Sequence, residues 1–374
     1  MVYWIYNATD NSCYKSNYTH KHHDKDEVHL PPPEDIVLVG FPIILVIGVL
    51  GNVAFLTLIA RVKVMRTVTN FYLSNLAIAD LLFLVVVSAI TLWGFKELPV
   101  YEATPFNTNF GCVSYYFFRY LAYFTSISLV TLVSSERYLA ICLPLKHRLM
   151  NNRQRSGVLT FTAWCVSGVL AIVVALGHGH LSDIQCLPPM DREGRKGYGR
   201  EEYGRTTKGP SRPPRTFQKC RGITKNIYLA SNLIQIIPFC LALILNIILY
   251  TKIIMKLKKP SPENDNKENN KRGKIQVMRM LIINAVAFFL CLAPRQFVLG
   301  HDVTFHKKAA GSTVNYVLYT ADMLNILNSA INPILYGLAS PSYRRGFMKA
   351  FGLTRAKVAP VAIQDQGQAT QATQ

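Results

Sequence analysis

Charged residues are scarce in this chain of 374 residues: Asp, Glu, Lys and Arg make up only 17%, while half of all residues are hydrophobic. A soluble domain of that length would lack the polar surface it needs, which excludes a water-soluble globule. Acidic residues are scarcer still, 21 against 41 basic ones, giving a formal net charge of +20. That excess does not indicate nucleic acid, because the basic residues collect beside the ends of apolar stretches rather than along one folded face. Also missing are a phosphate-cradling glycine loop, a zinc-ligand spacing and a nucleophile with an evident base, so enzymatic activity has no support. There is no internal repeat, and none of the ~10-residue alternating segments that a membrane β-barrel requires. Nor does the chain open with the basic, apolar, small-residue sequence of a cleavable signal peptide, so the first apolar stretch is expected to act as its own insertion signal.

What is present is a series of seven apolar stretches, over about 36–60, 71–94, 113–141, 157–177, 226–255, 276–300 and 314–338. Each is near the ~20 residues that a helix needs to cross ~30 Å of hydrocarbon. The expected fold is an all-α membrane protein, a seven-transmembrane helix bundle over 36–338. Residues 1–35 are expected to be an extracellular, disordered segment. The second outer loop, about 178–224, is long, and its Gly-, Arg-, Tyr- and Pro-rich middle from Asp191 to Arg215 reads as disordered. After the last stretch, 340–352 is expected to form an amphipathic helix on the membrane surface, followed by a disordered tail over 353–374.

Basic residues set the orientation. With the N-terminus outside, the inner loops hold Arg61, Lys63 and Arg66, then Lys146, Arg148, Arg153 and Arg155, then Lys256, Lys258, Lys259, Lys267, Lys271, Arg272 and Lys274. The first outer loop has only Lys96, as the positive-inside rule requires. A multi-pass plasma-membrane protein with a cytoplasmic C-terminus follows. The sequons beginning at Asn7 and Asn17 place the first segment on the glycosylated side if they are used. Of the eight cysteines, Cys13, Cys112, Cys186 and Cys220 then face outside, where disulfides form. Cys112 is expected to pin the second outer loop through Cys186, with Cys13 and Cys220 completing the set, although four cysteines allow three pairings and sequence does not choose among them.

Polar residues within the stretches are the functional candidates, since ionisable groups in a bilayer are costly. Asp80, with Ser126, Asn328, Ser329 and Asn332 to supply oxygens, suits a hard cation such as sodium or a proton switch; a satisfied polar network joining helices fits equally well. At the inner end of the third stretch, Glu136-Arg137-Tyr138 sets a carboxylate beside an arginine, either as a switch or as a plain interfacial anchor. Pro333, in Asn332-Pro333-Ile334-Leu335-Tyr336, leaves a deformable joint. Beyond it, Tyr343, Phe347, Met348 and Phe351 fall on one face opposite Arg and Lys, as a lipid-contacting helix requires.

Together these residues resemble the rhodopsin-like family of G-protein-coupled receptors over about 36–352. The markers are Gly51-Asn52, Leu76 with Asp80, Cys112 with Glu136-Arg137-Tyr138, Trp164, Pro238, Phe288 with Pro294, and Asn332-Pro333 with Tyr336. The resemblance implies that Ile127, Pro238 and Phe288 form a packing trigger, and that Arg137 meets a heterotrimeric G protein when the sixth helix swings outward. Leu292 stands where the family commonly has tryptophan, and Asn246 where most members have tyrosine. With Leu327-Asn328-Ser329-Ala330, these departures look most like invertebrate neuropeptide receptors of the FMRFamide-receptor type.

Tyr116, Arg119, Tyr120 and Tyr123 fall at helical spacings of three, four and seven, hence on one face. By resemblance that face lines an outer cavity, with Gln235, Arg295, Gln296, Asn315, Tyr319, Asp322 and Asn325. Aminergic members put an aspartate where Arg119 stands, and opsins a lysine where Ile326 stands, so neither ligand class fits. Arg119 is expected to form an internal ion pair with Asp322, in place of or before meeting a ligand carboxylate or carbonyl. The leading expectation is a receptor for an extracellular neuropeptide, with a small carboxylate or lipid acid as the alternative; a transporter or channel would need repeats that are absent. No cofactor is expected beyond an allosteric sodium ion. The tail lacks a cysteine for lipid attachment and has few Ser and Thr, so arrestin engagement through it is expected to be weak.

Overall fold

The computed structural model describes residues 2–7, 12–17, 39–88, 90, 92, 106, 108–150, 153–187, 215–222, 224–258, 265–305 and 312–353. In chain order the elements are strands β1 (Val2–Asn7) and β2 (Ser12–Asn17), then helices α1 (Phe41–Arg61), α2 (Val68–Leu82), α3 (Asn109–Cys142), α4 (Pro144–Met150) and α5 (Arg153–His178). Strands β3 (His180–Leu187) and β4 (Arg215–Arg221) follow, then helices α6 (Lys225–Lys258), α7 (Asp265–Phe305), α8 (Ser312–Ala339) and α9 (Pro341–Ala350). α2 runs on as a π-helical turn over Phe83–Ser88.

Among the described residues, six helices are long and apolar enough to cross a membrane: α1, α2 with its π turn, α3, α5, α6 and α7. α8, 28 residues long, is the seventh and packs between α1 and α7. This is the bundle that hydropathy predicts. α2 and α3 are the most buried of the spans and α1 the least, which makes α3 a central post. Apolar side chains such as Leu50, Phe161, Val169, Leu241, Leu290 and Phe297 point away from the bundle. So large an apolar exterior is stable only against lipid.

Small and polar side chains set the closest helix contacts. A Cβ on Gly48 would lie 2.7 Å from the Ala330 Cβ, so α1 meets α8 only because that position is glycine. Beside it the buried Asn52 donates from Nδ2 to the Ser329 carbonyl at 2.9 Å. Pro238, Pro294 and Pro333 lie inside α6, α7 and α8, and each removes a rung of the helical ladder.

One end of the bundle carries a four-stranded sheet of order β2-β1-β3-β4. β1 pairs antiparallel with β2 and parallel with β3, with Trp4 opposite Cys186. The expectation of disorder over 1–35 is therefore corrected for residues 2–7 and 12–17. The Val-Tyr-Trp-Ile-Tyr run has strong β-propensity, and the edge of β3 offers it unpaired backbone groups. Residues 18–38, 188–214 and 354–374 lie outside the described residues, as do the side chains of Asn7 and Asn17, which end β1 and β2.

The disulfide pairing is also corrected: Cys112 bonds Cys220, not Cys186. β3 begins at His180, just after α5, and Cys186 stands at its far end, opposite Trp4 of β1 and Arg215 of β4. The antiparallel return strand brings Cys220 opposite Leu181, and Leu181 donates its backbone N–H to Asn109 Oδ1 at the start of α3. Cys220 thus arrives level with Cys112.

At the opposite end α9 lies where the amphipathic helix was expected. Tyr343 is buried and Phe347 partly so, while Arg344, Arg345, Met348, Lys349 and Phe351 are exposed. The Tyr343 hydroxyl donates to Asn70 Oδ1 of α2, and Arg61 Nη1 donates to the Ala350 carbonyl at 3.1 Å. Burial pushes the Tyr343 phenol up to about 12, so it remains a donor at every physiological pH.

Candidate ligand cavity and switch network

Between the sheet and the middle of the bundle lies an open cavity. Its walls include Arg119, Tyr120 and Tyr123 from α3, Gln235 from α6, Arg295 and Gln296 from α7, and Asn325 from α8. Phe288 and Leu292 line it from α7, and Phe83 comes from the π turn of α2. Of the predicted α3 face, Arg119, Tyr120 and Tyr123 stand in these walls. Tyr116 is the exception: its ring packs on His178 of α5 at 5.2 Å and on Tyr120 at 6.1 Å, and it is not among the lining side chains. The side chains of Asn315 and Tyr319 lie outside the described residues.

The electrostatic centre is a three-charge cluster. Arg119 Nη2 and Arg295 Nη1 both donate to the same oxygen, Oδ1 of Asp322, at 2.7 and 3.0 Å. Arg119 also donates from Nη1 to the Tyr115 hydroxyl at 3.2 Å. The expected Arg119–Asp322 pair forms, and Arg295 joins it from a third helix. Two guanidinium groups against one carboxylate leave a net positive charge at the cavity wall. Gln296 Oε1 and Asn325 Oδ1 are buried in the same walls with no hydrogen bond from a protein group. Tyr123 donates to the Gln235 carbonyl at 3.1 Å, which fixes that ring as a wall.

Deeper in the bundle, Asn332 Nδ2 donates to Asp80 Oδ2 at 2.7 Å. Asp80 Oδ1 and Asn328 Oδ1 are buried without partners, and Ser126, Asn328 and Ser329 line the floor of the same cavity. An all-oxygen set with orphaned acceptors fits a hard monovalent cation. Ile127 and Phe288 share one buried apolar cluster, and Phe239, next to Pro238, stacks edge-on against Phe289 at 5.7 Å.

At the far end, Glu136 Oε1 pairs with His147 Nε2 at 2.7 Å, so the carboxylate's partner comes from α4. Arg137 donates to the Thr69 hydroxyl of α2. Sequence reasoning missed His147, because nothing local signals a seven-residue helix inside a loop. Tyr138 lies under the Lys252 ammonium, 5.9 Å from the ring centre. Tyr336 packs against Phe55 and Tyr343.

The chain matches the family described as 7 transmembrane receptor (rhodopsin family) over residues 51–198 and 215–336. It belongs to that family. The receptor is 31% identical to Neuromedin-U receptor 2 of Mus musculus over 327 residues, which cover 83% of this chain and 74% of the relative. It is 26% identical over 318 residues to the Allatostatin-A receptor of Bombyx mori, covering 84% of this chain and 79% of the relative. It is 25% identical over 330 residues to Growth hormone secretagogue receptor type 1 of Sus scrofa, covering 82% and 78%.

Proposed function

We propose that this receptor binds an extracellular neuropeptide in the Arg119 cavity and activates a heterotrimeric G protein at the opposite end. The two guanidiniums sharing one carboxylate oxygen carry the reading, because they leave positive charge facing a cavity walled by tyrosines and unpartnered amides. A peptide end supplies carbonyl acceptors for the arginines, donors for Gln296 and Asn325, and apolar side chains for the rings. The relatives named for neuromedin-U, allatostatin-A and growth hormone secretagogues support a peptide messenger over a small acid. The sheet end faces outward: the Cys112–Cys220 disulfide belongs to an oxidising compartment, and the basic inner loops lie at the other end. Glu136, Arg137 and Tyr138 then form the G-protein end, α9 rests on the inner leaflet, and arrestin engages the sparse tail weakly. Asp80, Ser126, Asn328 and Asn332 would hold a sodium ion that supplies a positive charge between the helices.

A screen of amidated neuropeptides, with small carboxylates as competitors, in cells expressing the receptor with a promiscuous G protein tests the reading. A peptide agonist whose potency falls strongly in Arg119→Ala, at unchanged surface expression, is the expected result. Activation by small acids alone would overturn it. Loss of agonist affinity on adding sodium, absent in Asp80→Asn, tests the ion.

A further inference from the structure

α3 and α7 scarcely touch each other directly. The link between them is Tyr250, supplied by α6. Its hydroxyl donates to the backbone carbonyl of Leu281 on α7 at 3.4 Å and lies 2.9 Å from the Ser134 hydroxyl of α3. Ser134 is itself fixed, 2.5 Å from Asn246 Oδ1, and Asn246 Nδ2 donates to the Thr131 hydroxyl at 3.0 Å. Ser134, Asn246 and Tyr250 are all buried.

Charge at this end opposes closure. Arg137 sits one turn inward of Ser134, and α7 brings Arg279 towards the same end, two residues before Leu281. From Asn269 to His301 that helix has no carboxylate. The α3 carboxylate at this end, Glu136, pairs with His147 of α4. A small pocket lined by Val130, Val133, Tyr250, Leu281 and Asn284 lies beside the bridge.

We propose that the neutral Tyr250 bridge between Ser134 and the Leu281 carbonyl holds the inner end closed against this repulsion, so that Tyr250 sets the ligand-independent activity of the receptor. The inference rests on the outward swing of α7 as the activating motion. Tyr250→Phe removes the hydroxyl and leaves the ring. At matched surface expression it should raise basal nucleotide exchange on a promiscuous G protein about two- to tenfold, the weight of one buried hydrogen bond. In the ligand-free purified receptor, nitroxides at Arg153→Cys and Gln276→Cys, in a background without other free cysteines, should show a larger long-distance population.

Unchanged or reduced basal exchange together with an unchanged distance distribution would overturn the proposal. Widened distances without raised exchange would uphold the bridge and place the failure in the G-protein reading. Should Tyr250→Phe not reach the membrane, Ser134→Ala unseats the same hydroxyl and carries the same expectation in both measurements.

Discussion

Asp322 and its two arginines give an asymmetric prediction. Both guanidiniums bond one oxygen, so deleting either arginine leaves the carboxylate paired, whereas Asp322→Asn leaves two cations facing each other without a counter-charge. Stripping a buried pair of one partner costs about 3–5 kcal/mol, and partial exposure of these side chains, 12% for Arg119 and 27% for Asp322, lowers that to about 2–4 kcal/mol. Arg295→Ala alone should cost about 1.5 kcal/mol, one charge-assisted hydrogen bond with its acceptor still satisfied, and Arg119→Ala slightly more, since its bond to Tyr115 goes too. The double variant strands Asp322 and should cost more than the two singles added. Thermal inactivation of detergent-solubilised receptor without ligand measures the series directly. Equal shifts for Asp322→Asn and Arg119→Ala would refute the shared-oxygen account, as would strict additivity of the two arginine variants.

Other consequences are as specific. Cys220→Ser should abolish surface expression as fully as Cys112→Ser, since it opens a loop worth about 4–5 kcal/mol in chain entropy, and the double variant should be no worse than either single. Gly179→Ala should reduce surface expression severely, because its Cβ would fall 2.1 Å from Val113 Cγ2 and 2.9 Å from the Ala175 carbonyl; normal trafficking would contradict the packing of α5 on α3. Tyr343→Phe keeps the stacking on Phe55 and Tyr336 but loses the bond to Asn70. It should lower stability by about 1 kcal/mol without changing agonist affinity, as a ligand-binding assay beside a thermal assay would show.

The seven spans were legible because hydropathy and helix length are local properties that tertiary context cannot undo. The Arg119–Asp322 pair was legible for a related reason, since a charge inside the membrane must find another. Long-range registry was not. Whether Cys186 or Cys220 meets Cys112 depends on how far β3 climbs before the chain returns, and nothing between residues 188 and 214 reports that distance. The sheet was missed because β1 and β2 are six-residue strands that gain most of their stability by joining β3. Tyr116 packs on His178 and Tyr120, a contact that helical spacing alone does not distinguish from a cavity wall. Tyr250 could have been found: Asn246 departs from the family pattern, and a tyrosine four residues on shares its helix face.

The helix α7 is 41 residues long, with Pro294 well towards its outer end and Arg295 immediately beyond. From Asp265 to that proline is about 44 Å, so a tilt of about 10° at the proline would sweep the far tip through about 8 Å. The helix thus acts as a long lever: an adjustment of about an ångström where Arg295 grips Asp322 would be magnified several-fold at the other side of the membrane.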